Sequence, residues 1–168
     1  PFCDGNGRLG RMLVPLFLYQ KKIISKPVLY ISQFLDQNEM PYKDSLLGIT
    51  SGGGWTQWIC FFLDAIKWQS ERNYAVAGKI IKYYEETKER IAKTINSPHA
   101  ILLLDAMVEK PIFTQSSLKL ASNPSRPTIY NILQKLNSAG IISVLEKGSG
   151  RSSAIYCLKD LLDIAESK

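Results

Sequence analysis

A glycine-rich stretch at the start of the chain, Phe2–Arg11, carries the residue types that bind phosphate. Its central Gly5-Asn6-Gly7 permits a tight turn whose backbone N–H groups converge, and such a turn at a helix N-terminus binds anions. Arg8 and Arg11 are three residues apart, so both can face one ligand and neutralise phosphate oxygens. The stretch therefore predicts a site for a phosphate-bearing ligand.

Asp4 precedes this turn, and a carboxylate beside a bound phosphate is repulsive unless a cation lies between them. The sequence thus indicates a Mg²⁺ ion that bridges Asp4 and the phosphates. The same glycines spell G-x-G-x-x-G, but neither the strand pattern and acidic residue of a dinucleotide-binding unit nor the Lys-Ser/Thr pair of a P-loop follows. A plain turn that caps a buried helix remains the alternative on physical grounds.

The segment from Pro1 to Arg11 resembles the signature of the Fic family (filamentation induced by cAMP), written H-P-F-x-D/E-G-N-G-R-x-x-R. Every position present matches, and only the leading histidine falls before Pro1. The segments Pro15–Tyr19 and Trp55–Ala65 are also similar to later core helices of that family, so that the resemblance covers residues 1–68. It implies adenylyl transfer (AMPylation), in which AMP passes from ATP to a hydroxyl of a target protein.

Each residue of the motif takes a role from this resemblance. Asp4 would bind Mg²⁺, the Gly5-Asn6-Gly7 turn would cradle the α- and β-phosphates of ATP, and Arg8 and Arg11 would hold the outer phosphates. Phe2 would be structural and pack the loop onto the core. The general base would be the histidine before Pro1, so none of these residues is expected to be catalytic and the chain as given is expected to be inactive.

Two other reactive side chains are expected to be structural. His99 reads as an ordinary residue at a helix start, and Cys3 as a buried, inert thiol beside the turn. The inhibitory S/T-x-x-x-E helix of the family is not evident, and its earlier core helices and flap have no counterpart here. A core without those helices would expose apolar surface, so we expect self-association or instability.

The elements behind the motif are predicted to be helical. Leu9–Ile24 is apolar on nearly every face, which predicts a central, buried helix. Pro15 predicts a kink in this helix, with an irregular first turn as the alternative. Charged residues recur at helical spacing from Asn73 to Ile95, as in a solvated connector helix. The remaining helices of this part are predicted at Val28–Gln37, Pro41–Thr50 and Trp55–Trp68, with breaks at Asn38–Met40 and Ser51–Gly54.

A second pattern begins where Ser97 caps a helix and Pro98 occupies its first position. Helices are predicted at Ala100–Val108, through Ala121 with Thr114 as the cap, and at Arg126–Ser138 with Gly140 as C-cap. Strands are predicted at Ile141–Leu145 and Ser153–Leu158, then a helix from Lys159 or Asp160. This order resembles a winged-helix domain. The fold class is therefore mainly α: a partial Fic-type core at residues 1–72, a connector at 73–96, and a winged helix-turn-helix domain with a small β-hairpin at 97–168.

The third helix of this domain presents polar side chains opposite its apolar face of Ile129, Ile132, Leu133 and Leu136. Five basic residues and one acidic residue lie between Thr114 and Arg151, an excess suited to phosphate. The candidate DNA contacts are Ser125, Arg126, Thr128, Asn131, Gln134 and Lys135, with Lys147 and Arg151 at the hairpin. Protein docking or dimerisation is the alternative for this surface.

The composition of the chain is compatible with each of these interpretations and does not favour one over another. The net charge of +6 suits phosphate-bearing partners, and three widely spaced cysteines indicate reduced thiols in a cytoplasm. Neither a secretory signal nor a membrane-length apolar run is visible. The expected partners are ATP, a hydroxyl-bearing target protein and DNA. The competing functions are an AMP-transferring enzyme, a DNA-binding regulator whose core is a nucleotide sensor or relic, and a fragment without activity.

Overall fold

The chain folds into two compact units, Pro1–Ala75 and Val76–Lys168. The computed structural model describes residues 2–118, 120, 124–149 and 153–166. Helices account for most of these residues, and the second unit adds a small antiparallel sheet. Within the described ranges, no helix is both long enough and apolar enough to cross a membrane.

The first unit consists of helices α1 (Asn6–Gln20), α2 (Ser32–Gln37), α3 (Glu39–Gly52) and the first half of α4 (Trp55–Thr94). The predicted helix over Val28–Gln37 is shorter than expected. Its first residues instead form an irregular segment that follows Pro27, and Leu29 and Ile31 of that segment are buried. Asn38 alone separates α2 from α3, so the predicted break over three residues is too long.

Helix α4 is a single helix of 40 residues, where the sequence predicted two helices separated near Trp68. The residues between the two predicted segments, Gln69–Arg72, include no glycine or proline. A change from an apolar to a charged pattern therefore marked a change of surroundings and not a helix end, because nothing in the backbone interrupts the hydrogen-bond ladder.

Aromatic side chains from α2, α3 and α4 hold the first unit together. The ring centroids of Phe34 and Phe61 are 5.6 Å apart, and those of Tyr42 and Trp58 are 5.8 Å apart. Phe34 also meets Trp68 at 5.8 Å. Tilted contacts of this kind add to the stabilisation from buried area. They enclose a small buried core of Leu29, Ile31, Leu35 and Ala65.

Helix α1 is largely exposed, and the prediction of a central, buried helix is wrong. Pro15 is its one buried residue, while Met12 is 62% and Phe17 is 55% exposed. Only one edge, with Val14 and Leu18, packs against the core of the unit. A helix that is apolar on all sides can be buried, but only if other elements pack against each of its faces. Here the core formed by α2–α4 covers a single edge of α1.

The helix also differs from its predicted bounds. It continues through Pro15 and ends at Gln20, four residues before the predicted end at Ile24. Lys22 adopts a left-handed conformation with φ of 59°. Its N–H donates to the Tyr19 carbonyl, and the Ile23 N–H donates to the Leu18 carbonyl, both at 2.9 Å. These bonds form a Schellman motif with lysine in the position that glycine usually takes.

The second unit contains α5 (Pro98–Glu109), β1 (Ile112–Thr114), a 3₁₀ helix (Gln115–Ser117), α6 (Arg126–Ser138), β2 (Ser143–Glu146), β3 (Ile155–Cys157) and α7 (Lys159–Glu166). Strand β3 lies between β1 and β2, and both pairings are antiparallel. Tyr156 pairs with Phe113 on one side and with Val144 on the other. The predicted hairpin is confirmed, whereas β1 was not predicted.

Several local signals in this unit were interpreted correctly. The Ser97 hydroxyl accepts a hydrogen bond from the His99 N–H at the start of α5. Helix α6 has the predicted bounds, and its Ile129, Ile132, Leu133 and Leu136 are all buried. Gly140 follows it with φ of 67°, in a second Schellman motif whose Ile141 N–H donates to the Leu136 carbonyl.

The predicted helix from Thr114 is instead a single 3₁₀ turn, Gln115–Ser117. Thr114 does cap it, because the Thr114 N–H donates to the Ser117 hydroxyl at 3.0 Å. The predicted end, Ala121, lies outside the described residues.

Candidate functional site

The glycine-rich turn is closed by the side chain of Asn6. Its Nδ2 donates to the Phe2 carbonyl at 2.7 Å, and its Oδ1 accepts from the Phe2 N–H at 3.1 Å. Between them Gly5 has φ of 83°, a left-handed conformation that suits glycine. The Gly5 N–H donates to Asp4 Oδ1 at 2.6 Å. The turn thus depends on the asparagine and the glycine that sequence analysis singled out.

This turn leads directly into α1, whose start is not capped by a side chain. Gly5 is the N-cap and has no side chain to accept hydrogen bonds, and the first turn contains no acidic residue. The first backbone N–H groups of a helix lack partners within it, and the helix dipole makes this end positive. A phosphate group is therefore favoured at this position.

The two arginines of the motif lie beside this helix start. Arg8 Nη2 is 3.5 Å from Asp4 Oδ2, but the two side chains are 75% and 92% exposed, so the pair is weak and easily exchanged for a ligand. A Cβ atom on Gly7 would lie 3.3 Å from Arg11 Nη1. The glycine therefore leaves room for this guanidinium group. A pocket of about 230 Å³ is lined by Arg8, Arg11, Met12, Tyr30, Ile31 and Ser32.

Asp4 is the acidic residue at this site, and the structure allows a test of whether it suits a metal ion. Among the described residues, no three His, Cys, Asp or Glu side chains converge to hold a metal. Magnesium in nucleotide sites commonly takes one or two protein carboxylates and completes its shell with water and substrate phosphates. Asp4 supplies one such carboxylate next to the glycine-rich turn.

Two residues of this stretch are not where sequence analysis expected them. The Phe2 side chain is 62% exposed and does not pack onto the core, so this residue closes the turn through its backbone alone. Cys3 is exposed and not buried. Burial of these two side chains would require apolar residues packed against the turn. The buried cluster of this unit is instead formed by α2–α4 with the segment before α2.

The candidate DNA contacts on α6 divide into two groups. Arg126, Asn131, Gln134 and Lys135 are exposed, as a contact surface requires. Ser125 and Thr128 have a capping role that the sequence reading did not assign. The Ser125 hydroxyl accepts from the Thr128 N–H at the helix start, and the two hydroxyl oxygens are 2.8 Å apart.

The hairpin adds Lys147, which is exposed in the turn after β2, while Arg151 lies outside the described residues. Between α6 and the hairpin is a cleft of about 400 Å³. Its polar lining is Gln115, Tyr130, Gln134, Lys147 and Ser153, and its apolar lining includes Val144 and Ala154.

Tyr130 is a residue of this surface that sequence analysis missed. It is 49% exposed, and it lies one helical turn from both Arg126 and Gln134. That spacing was the available signal, but an aromatic residue in an amphipathic helix is more readily assigned to the core. The surroundings also lack negative charge, because the sequence from Pro111 to Leu145 contains no acidic residue.

No protein-family model matches the chain. Two surfaces of the protein carry the candidate functional residues: the turn before α1 in the first unit, and α6 with its hairpin in the second. Each combines hydrogen-bond donors or positive charge with exposure, which are the properties that phosphate recognition needs. The N-cap of the helix that bears the site is Gly5 in the first unit and Ser125 in the second.

Proposed function

We propose that the first unit binds ATP with Mg²⁺ and forms part of a Fic-type protein that transfers AMP to a hydroxyl group of a target protein. The observation that carries this proposal is the closed turn ahead of α1. The bonds between Asn6 and Phe2 hold the turn in place, and Arg8 and Arg11 lie beside an uncapped helix start. Such a protein would act in the cytoplasm, in keeping with the three free cysteines.

In the proposed reaction, these residues position the phosphates of ATP and neutralise their charge. The target hydroxyl attacks the α-phosphorus, the bond between that phosphorus and the bridging oxygen to the β-phosphate breaks, and pyrophosphate leaves. The N–H groups of the turn would hold the α- and β-phosphates, and Arg8 and Arg11 would neutralise the outer ones. Mg²⁺ held by Asp4 would neutralise the charge that develops on the leaving group. The hydroxyl proton would pass to the histidine that the family places before Pro1.

ATP binding to this chain is the first test, because binding does not require the catalytic histidine. Isothermal titration calorimetry with ATP and Mg²⁺ should show binding that Arg8→Ala and Arg11→Ala each weaken by about tenfold or more, since each removes a charged contact to phosphate. Lys67→Ala removes one exposed charge elsewhere in the same unit and should leave binding unchanged. Equal binding by all four proteins would contradict the proposal.

Transfer is tested with ATP that carries a label in its α-phosphate and with a protein in which a histidine directly precedes Pro1. Label should enter a target protein, and Asp4→Ala or Arg8→Ala should abolish its entry. If label never enters protein, the enzyme is excluded, and ATP binding then supports a nucleotide sensor.

We also propose that the second unit is a winged-helix domain that binds DNA. The order α5, β1, 3₁₀ helix, α6 and β2–β3 hairpin supports it, as does the sheet order β1-β3-β2. The exposed Arg126, Asn131, Gln134 and Lys135 on α6 then suit a major groove. Duplex binding should weaken as salt rises and should weaken in Arg126→Ala and Lys135→Ala.

Two controls separate this function from the first. Lys93 is exposed on α4, so Lys93→Ala removes an equal charge from the same unit and should leave DNA binding unchanged. Asp4→Ala should also bind DNA normally, because that residue belongs to the first unit. Duplex binding that is insensitive to salt and to both α6 variants would exclude this domain as the DNA-binding element.

A further inference from the structure

We propose that the cleft between α6 and the β2–β3 hairpin seats one sugar–phosphate strand of the DNA, with Tyr130 as a phosphate-contacting residue. This inference rests on the proposed DNA-binding function of the second unit and deepens it. It assigns a role to a cleft of about 400 Å³ that the contacts on α6 alone do not use.

The geometry of duplex DNA supplies the first step. When a helix occupies the major groove and a hairpin reaches the adjacent minor groove, one sugar–phosphate strand separates the two grooves. That strand must pass between the helix and the hairpin. In this unit the space between α6 and the β2–β3 hairpin is the cleft, with Gln134 on its helix side and Lys147 on its hairpin side.

The chemistry of the lining is the second step. Tyr130, Gln134, Lys147 and Ser153 all carry hydrogen-bond donors, and no carboxylate is among the lining residues. Donors of this kind make most contacts to phosphate oxygens in DNA complexes. The apolar lining, which includes Val144, suits the carbon atoms of the deoxyribose ring.

The position of Tyr130 is the third step. Arg126 and Gln134 lie one turn before and one turn after it, so all three side chains share a face of α6. It borders the cleft and is half exposed, so its hydroxyl can reach a ligand without unfolding the helix. Gln115 has a different role, since its Nε2 already donates to the Arg126 carbonyl at 2.6 Å and thereby anchors the 3₁₀ helix to the start of α6.

The test measures affinity for a random-sequence duplex of about 20 base pairs, two helical turns, at low salt. Tyr130→Phe removes only the hydroxyl and should weaken binding about fivefold, the effect of one lost hydrogen bond. Lys147→Ala should weaken binding and also reduce the slope of log affinity against log salt by about one. Tyr74→Phe is the matched control, because Tyr74 is a tyrosine on α4 that is 84% exposed. This variant should bind DNA like the wild type.

Circular dichroism and thermal melting of each variant establish that the fold is retained. The inference is overturned if the wild type binds the duplex and Arg126→Ala weakens it, while Tyr130→Phe and Lys147→Ala both bind like the wild type. In that case the second unit binds DNA, but the cleft does not bind a sugar–phosphate strand. If the wild type does not bind duplex DNA even at low salt, the DNA-binding function itself fails, together with the inference.

Discussion

The side-chain amide of Asn6 forms hydrogen bonds with both the N–H and the carbonyl of Phe2, at 3.1 and 2.7 Å. This ring of two bonds holds the residues between them in a turn and presents the start of α1 to solvent. It also explains why an asparagine stands at this position. A side chain with both a donor and an acceptor is needed to satisfy both backbone groups.

Asn6→Ala should therefore open the turn and weaken ATP binding. Because both bonds are exposed, we expect a loss of about 1–2 kcal/mol in the free energy of binding, or roughly tenfold in affinity. Calorimetry with ATP and Mg²⁺ measures it. Asn38→Ala is the control, because it also removes one side-chain bond to a backbone carbonyl, that of Phe34, away from the site. Unchanged affinity in Asn6→Ala would show that the turn does not hold the nucleotide.

The two Schellman motifs predict opposite effects of substitution. Lys22 and Gly140 both have positive φ, of 59° and 67°. Lys22→Gly should raise the free energy of unfolding by about 0.5–1 kcal/mol, since a side chain in the left-handed region is strained. Gly140→Ala should lower it by about 1 kcal/mol for the same reason. Urea denaturation measures both, and a loss of stability in Lys22→Gly would contradict this explanation.

The pair Tyr84 and Asp105 predicts a pH-dependent contribution to stability. The Tyr84 hydroxyl donates to Asp105 Oδ1 at 2.7 Å, and this bond raises the pKa of Tyr84, with burial and the nearby carboxylates adding to the effect. The folded chain thus holds the proton more tightly than the unfolded chain, whose tyrosine ionises near pH 10, an approximate value. The stabilisation is fully present below that pH and is lost as pH rises through the folded pKa.

Tyr84→Phe should accordingly lower the free energy of unfolding by about 1 kcal/mol at neutral pH. The difference from the wild type should stay constant in the neutral range and shrink above about pH 10. Urea denaturation of both proteins across this range tests the prediction. Tyr83, whose pKa is also raised by burial, is present in both proteins, so its effect cancels in the comparison. A difference that grows at high pH would contradict the assigned sign.

The exposed face of α1 predicts self-association of this chain. Met12, Leu13, Leu16 and Phe17 are each about half exposed along one helix, a larger apolar surface than isolated exposed residues present. Sedimentation velocity should show species larger than a monomer that become fewer in Phe17→Ser. Lys79→Ser, an exposed change on α4, should have no effect. A wild-type protein that remains monomeric across a wide concentration range would contradict this prediction.

Much of the second unit followed from local signals in the sequence. The bounds of α6 and the caps Ser97 and Gly140 were predicted because a cap acts on backbone groups a few residues away. The glycine turn before α1 could also be anticipated from composition, since a left-handed residue such as Gly5 is a local requirement.

Contacts between distant parts of the chain decided the rest. Strand β1 has three residues, too few to show an alternating pattern, and it exists because β3 pairs with it from more than forty residues away. The apolar residues of α1 could not show how many neighbours would cover them. Tyr130 became part of a surface only when the β2–β3 hairpin came to lie beside α6. Sequence by itself determined the turns and helix caps, because these depend on residues that are close together in the chain. The tertiary structure decided which faces are covered and where β1 forms, because burial and strand pairing are shared between distant segments.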